Sequence, residues 1–290
     1  MERIGEVDEI SSLGWQVRQA NFSPVITFAT PKRTKTISVT GSECALNCAH
    51  CGGHYLQAMQ PLTELHEPAD LQADSCLISG GCSKQGRVPI AQHATKLTAL
   101  KQGRRYNIHT GLIDEKEIGT ISRLADAVSF DFVGDDLTIC EVLGLQHRVE
   151  DYVQCYSRLK NSVRVVPHIC IGLHGGAIRG EYRALQLLQE MGVEALTFIV
   201  FLPTKGTKYE KHMPPPLEET IQLLARARLQ FPTTPIHLGC MRPGGRYRSE
   251  LDEWAVRLGV NTIVNPAPAA RTAAQELGLE IRCKEECCVL

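Results

Sequence analysis

The residues with the clearest chemistry in this 290-residue chain are Cys44, Cys48 and Cys51, a C-x3-C-x2-C run directly after a strand-like segment at 36–40. Three thiolates at that spacing, on a loop leaving a strand, can hold three corners of a [4Fe-4S] cube and leave the fourth iron open. The competing assignment is a zinc knuckle, with His50 or His54 completing a tetrahedral site. Zinc sites usually pair two C-x2-C halves across a longer loop, whereas these cysteines crowd into one turn, so the cluster is the leading assignment.

A second group of thiols closes the chain: Cys283, Cys287 and Cys288 all fall within the last eight residues. Chain ends tend to be mobile and free thiols there oxidise, so a ligand role accounts for the clustering. Cys82 and Cys240, each at the end of an expected strand, are candidates to complete a second [4Fe-4S] cluster with that tail. A zinc site and a tail without metal are the alternatives. Cys76, Cys140, Cys155 and Cys170 lie in apolar segments and read as core thiols.

Around these thiols the chain alternates β-rich runs with helical patterns, which argues for parallel strands and helical crossovers. Strands are expected at 36–40, 75–80, 106–110, 127–133, 164–171, 195–202, 235–240 and 262–264. Eight such runs suit a (β/α) TIM-type barrel, full or partial, with outer helices. A leading helix at 7–20 lies within an N-terminal extension (1–30), the barrel occupies 31–269, and a helix with the Cys-rich tail fills 270–290. All three belong to one domain. In such a barrel the loops after the strands build the site, and the interior is expected to offer an apolar slot.

The polar residues gather after the strands. Ser79, Gly80 and Gly81 end the second expected strand, His109 the third, Asp131 lies on the fourth and His174 follows the fifth. Gly80 and Gly81 can bring bare backbone close to a ligand. Asp131 can accept hydrogen bonds from ribose hydroxyls or simply bond loop amides, and His109 and His174 read more readily as core histidines than as site residues.

With 31 basic against 32 acidic residues and a net charge of −1, the chain gives no electrostatic case for nucleic-acid binding. No apolar run approaches the roughly 20 residues needed to span a bilayer, and the start lacks a signal-peptide pattern. A cytoplasmic location is expected, where the twelve cysteines read better as ligands and buried thiols than as disulfides.

The triplet and the glycine pair resemble the signature of the radical S-adenosylmethionine (SAM) enzymes. Residues 37–56, 78–82 and 86–89 look like the biotin-synthase-related members. Asp131 to Asp135, His174-Gly-Gly, residues 239–243 and the Cys-Cys tail look like one subunit of a two-protein lipoyl synthase. The resemblance implies SAM on the open iron, with its amino group received at Ser79, Gly80 and Gly81, and His109 and Asp131 are the further candidate cofactor contacts. It also implies a radical sulfurtransferase that inserts sulfur into an octanoyl chain on a carrier protein. A homologous partner subunit and a low-potential electron donor would assist. Other radical chemistry, as in rearrangement, biotin formation or metallocofactor assembly, is the alternative, followed by a non-catalytic iron–sulfur scaffold.

Overall fold

A computed structural model describes residues 2–290, with side chains from residue 10 onward. Strands β1 Val25–Ala29, β2 Thr34–Ser38, β3 Gln60–Pro61, β4 Ser75–Ser79, β5 Arg105–His109, β6 Ala127–Asp131, β7 Val165–Ile171, β8 Leu196–Val200, β9 Ile236–Leu238, β10 Thr262–Val264 and β11 Glu280–Lys284 form one sheet. Its order is β11-β1-β10-β9-β8-β7-β6-β5-β4-β2-β3, and every pairing is parallel. All eight expected strands are present, and β1, β3 and β11 add to them. Because the edge strands β11 and β3 do not pair with each other, the architecture is a partial barrel rather than a closed ring of eight.

The crossovers are helical: α2 Ala94–Lys101, α3 Glu115–Leu124, α4 Asp136–Glu141, α5 Val149–Lys160, α6 Glu181–Met191, α7 Leu217–Gln230, α8 Gly245–Arg257 and α9 Pro268–Glu276, after the leading α1 Glu2–Asn21. Helix α3 shows why they form. Asp114 and Glu117 make a reciprocal capping box at its start, and Ile118, Ile121 and Leu124 at helical spacing are its buried residues. Helix α1 packs on α7 and α8. Its Arg18 donates to the carbonyls of Ser23, just before β1, and Val25, the first residue of β1, so the helix is tied to the end of the sheet where the strands begin.

Register separates the two faces of the sheet. Ile37, Ile78, Ile108, Val128, Ile169, Phe198, Leu238, Ile263 and Phe28 sit on the face that packs against the helices, and each is at most 2 % exposed. Burying such side chains stabilises by roughly 1.5–3 kcal/mol apiece. The opposite, concave face carries Thr27, Asn107, Ser129, Asp131, His168, Thr197, His237 and Thr262. The apolar interior slot expected from the barrel pattern is therefore absent from this level of the sheet. In its place, Asp131, His168, Thr197, His237, Thr262 and Thr27 follow one another in register across six strands.

The C-terminal segment also differs from expectation. After α9 the chain forms β11 beside β1, so parts of both terminal segments belong to the same sheet as the barrel. Residues beyond β11 are tied down rather than loose. Val289 is fully buried against Ala127, Val166 and Ala195 on the concave face. Arg105 bonds Glu286 and the Leu290 carbonyl, and Arg164 bonds the Val289 carbonyl. The missing signal was a partner for apolar Val289, which only the folded sheet supplies.

Candidate metal centres

The triplet loop starts where β2 ends, and short polar bonds shape it. Ser38 Oγ donates to the Gly41 carbonyl at 2.6 Å, and Thr40 Oγ1 donates to the Glu43 carbonyl at 2.8 Å. Thr40 Oγ1 also accepts from the Gly81 N–H at 2.7 Å, and the Ala45 N–H donates to the Cys82 carbonyl at 2.8 Å. These bonds lace the exit of β4 to the triplet loop. A Cβ on Gly81 would lie 2.6 Å from Cys44 Cα and 2.7 Å from its Cβ. The glycine is thus required by the approach of Cys44 itself, a closer constraint than the ligand approach expected from sequence. At Gly80 a Cβ would meet only side chains, Val39 at 3.0 Å and Thr40 and Val88 at 3.2 Å.

Ligand atoms of Cys48, His50 and Cys51 lie within 4.8 Å of one another, with Cys44 outside that group. That spacing lets the three atoms share one ion such as zinc, and a larger cluster would draw on Cys44 as well. The Cys51 thiol is driven down to about 4, first by its hydrogen bond with Cys48 and then by His50, which gives the loop thiolate character. Its partner Cys48 is pushed up by the same bond and by burial. His50 Nδ1 is buried and has no protein partner, an orphaned polar atom beside the thiols that a bound group would satisfy. His54 is exposed and stacks edge-on against Tyr55.

Cys82 stands with this first group and not with the tail. The Cys44 thiol faces the Cys82 carbonyl at 3.9 Å, and burial, then the neighbouring Cys44, push the Cys82 thiol up to about 12.

Deeper on the concave face, His109 Nδ1 lies 3.9 Å from Asp131 Oδ2, and the His109 and His168 rings are 5.5 Å apart between centroids. The Asp131 side chain is 65 % exposed, yet burial acts on its carboxyl. Both hold if its open area faces the hollow of the sheet. Burial alone would raise its pKa, but His109, His168 and His50 outweigh that and hold it ionised. His168 Nδ1 lies 3.0 Å from the Val166 carbonyl, and burial pushes its pKa down to about 4. His237, pushed down to about 3 by burial, keeps a buried Nδ1 without a partner, as Thr197 does its Oγ1.

Of the five thiols considered for a second centre, Cys287 and Cys288 adjoin each other and Cys240 lies within their electrostatic reach. Cys287 accepts a hydrogen bond from Asn107 Nδ2 at 3.5 Å and is lowered to about 6, chiefly by the Cys288 thiol. Cys288 is raised by that bond and by burial, with Cys240 among the charges that act on it. Cys240 has exposed area while burial raises its thiol, again the mark of a group facing the hollow. Cys283 does not join them. Its register partner is Phe28, whose ring lies under Arg271 of α9, so Cys283 is on the helix side of the sheet and exposed. Among the expected core thiols Cys76 and Cys155 are buried, Cys170 is half-buried on the concave face, and Cys140 is exposed on the short α4.

His174 sits at the rim, its Nδ1 3.1 Å from Thr138 Oγ1 and its Nε2 3.4 Å from Glu141. Sequence reasoning missed His168, His237 and Thr197. Their signal was a polar residue at alternate positions of strands otherwise rich in Val, Ile and Phe, as in Val-Val-Pro-His-Ile-Cys.

The fold is that of several solved enzymes. Methylornithine synthase (PylB) superposes with a TM-score of 0.68 at 14 % identity, covering 95 % of this chain and 89 % of that one. The FeFe-hydrogenase maturase HydG from Carboxydothermus hydrogenoformans gives 0.65 at 13 %, covering 89 % and 63 %. Streptococcus suis SuiB bound to S-adenosylmethionine gives 0.54 at 14 %, covering 81 % and 58 %. The HMG-CoA lyase from Brucella melitensis also matches, with a TM-score of 0.52 at 10 % identity over 90 % of this chain and 93 % of that one. At these identities the likeness establishes the fold and leaves the reaction to the site. No protein-family model matches the sequence, and no curated protein matches it.

Proposed function

We propose that this chain is a radical SAM enzyme that inserts sulfur into an unactivated C–H bond, with Cys44, Cys48 and Cys51 holding the SAM cluster. The observation that carries the reading is the presence of two separate thiol groups on one concave surface. One is the triplet after β2, and the other is Cys287 and Cys288 on the concave face, with Cys240 within their electrostatic reach. A bound [4Fe-4S] cluster with SAM on its open iron supplies reductive cleavage to a 5'-deoxyadenosyl radical. The second group supplies thiol ligands for an iron–sulfur centre that can act as the sulfur source.

The protein's own part is placement. Thr40 and Gly81 lock the triplet loop to β4, which fixes where the first cluster stands. Ionised Asp131, steadied by His109, accepts hydrogen bonds from hydroxyl groups such as those of a ribose. The tail, clamped by Arg105 and Arg164, carries Cys287 and Cys288 onto the concave face beside Asn107. Resemblance to the two-protein lipoyl synthases supports a protein-bound octanoyl chain as substrate, a homologous partner subunit and a low-potential electron donor.

The polar lining of the hollow favours a second reading, a radical rearrangement of a small polar substrate. Two measurements separate the readings on anaerobically reconstituted protein with reductant and SAM. Formation of 5'-deoxyadenosine tests radical chemistry, and its absence refutes both. Loss of sulfide from the protein in a single turnover with an octanoylated carrier domain and the partner subunit supports sulfur insertion. Full sulfide retention with 5'-deoxyadenosine formation refutes it.

A further inference from the structure

Three thiols leave one corner of a cubane centre in the hollow without a cysteine. Cys82 and Cys283, the two further thiols considered for it, are turned elsewhere, one toward the triplet and one to the helix side. The fourth ligand must therefore come from another donor type or from outside the protein. Imidazole is the common nitrogen ligand to iron and replaces cysteine in some iron–sulfur centres.

His237 meets the requirements of place and availability. It lies on β9, three residues before Cys240, in register with Thr197 on one side and Thr262 on the other. That register puts it on the concave face. It is 6 % exposed, and its Nδ1 is buried without any protein partner, as is the Oγ1 of fully buried Thr197 beside it. Two adjacent polar atoms left unpaired in a folded interior each cost free energy unless something bound there satisfies them. Cys287 and Cys288 pack against Val166 and Ala195, which lie two residues before His168 and Thr197 on the same face, so the tail thiols lie under the layer that holds His237. Gly239 lets Ile199 and Thr197 approach this segment closely, since a Cβ there would come within 2.7 Å of Ile199 Cγ2 and 3.2 Å of Thr197 Cγ2.

His168 is less available, because its Nδ1 is already engaged with the Val166 carbonyl and its ring leans toward His109. We infer that His237 is the nitrogen ligand of the centre held by Cys240, Cys287 and Cys288, with the Thr197 hydroxyl hydrogen-bonded to that centre. This assignment rests on the proposed second centre.

The test uses the full chain with Cys44, Cys48 and Cys51 all changed to Ala, reconstituted anaerobically with iron and sulfide so that only the second centre can load. Pulsed electron paramagnetic resonance of the reduced protein, with 15N-histidine labelling, reads nitrogen coupling directly. The expected result is a strong histidine coupling that disappears in His237→Cys while the iron content holds. The reduction potential should then fall, because a thiolate replaces a neutral imidazole. His168→Ala should leave the coupling in place. Iron without histidine coupling, or coupling that survives His237→Cys, overturns the assignment to His237 alone. A background protein that binds no iron overturns the second centre and this inference together.

Discussion

Replacing Gly81 by alanine tests how the triplet loop is positioned. The new Cβ would sit 2.6 Å from Cys44 Cα and 2.7 Å from Cys44 Cβ, contacts that only a movement of backbone relieves. Ordinary carbon contacts begin near 3.5 Å, so the two loops must separate by about 1 Å. Separation strains the bond from the Gly81 N–H to Thr40 Oγ1 and the bond from Ala45 to Cys82. Overpacking of this kind costs roughly 1–3 kcal/mol, a fall in melting temperature of about 2–5 °C for a chain of this size. The more telling effect is on metal. A 1 Å displacement of Cys44 removes one corner of the first cluster, so anaerobically reconstituted Gly81→Ala should lose about one cluster of iron and its 5'-deoxyadenosine formation. Gly80→Ala is the internal control, since its Cβ meets movable side chains at 3.0–3.2 Å and should keep the iron. If Gly81→Ala melts with wild-type protein and binds full iron, the close approach of β4 to Cys44 is not what holds the triplet loop, and the reasoning fails.

Single changes of Cys48 or Cys51 to Ala should remove the first cluster while circular dichroism stays native, and 5'-deoxyadenosine formation that survives either change would refute the ligand assignment. Asp252→Ala should destabilise by about 3–5 kcal/mol, because it strands the guanidinium of Arg242, which with Asp252 is 0 % exposed and also bonds the Gly239 carbonyl. A chemical melt shifted by less than about 1 kcal/mol would count against that pair as the anchor of the Cys240 loop. His168 falls from 6.5 to about 4 on folding, so between those values the unfolded chain binds more protons. Metal-free protein should therefore lose stability as pH drops from 6.5 to 4, by roughly 3 kcal/mol from this group. His168→Gln should flatten that slope in urea melts, and an unchanged slope would show that His168 is not buried neutral.

The candidate triplet stood out because Cys44, Cys48 and Cys51 are close in sequence, and the fold brings Cys48 and Cys51 together beside His50. The strands were legible for a similar reason, since runs such as Arg-Val-Val-Pro-His-Ile-Cys-Ile announce a buried parallel strand whatever surrounds them. What could not be read was the face each residue takes. Cys283 and Cys287 are four residues apart in one tail, yet pairing with Phe28 sends the first to the helices while the chain turn after Lys284 brings the second onto the concave face. Cys82 and Cys240 both follow strands, but Cys82 is captured by the triplet loop through its own carbonyl. Register decides these outcomes, and a shift of one residue would exchange every assignment.

The same register accounts for the polar hollow, the feature least expected from a barrel pattern. A strand that alternates Leu-Thr-Phe-Ile or Ile-His-Leu looks apolar on average because the helix-facing residues dominate the count. Only pairing shows that Thr197, His237 and Thr262 lie side by side, and that two of their polar atoms lack partners. An interior built to hold only hydrocarbon would leave such groups unsatisfied at a cost of about 1–3 kcal/mol each. On the face where Cys287 and Cys288 also lie, such groups are donors and acceptors for a polar or charged occupant of the hollow.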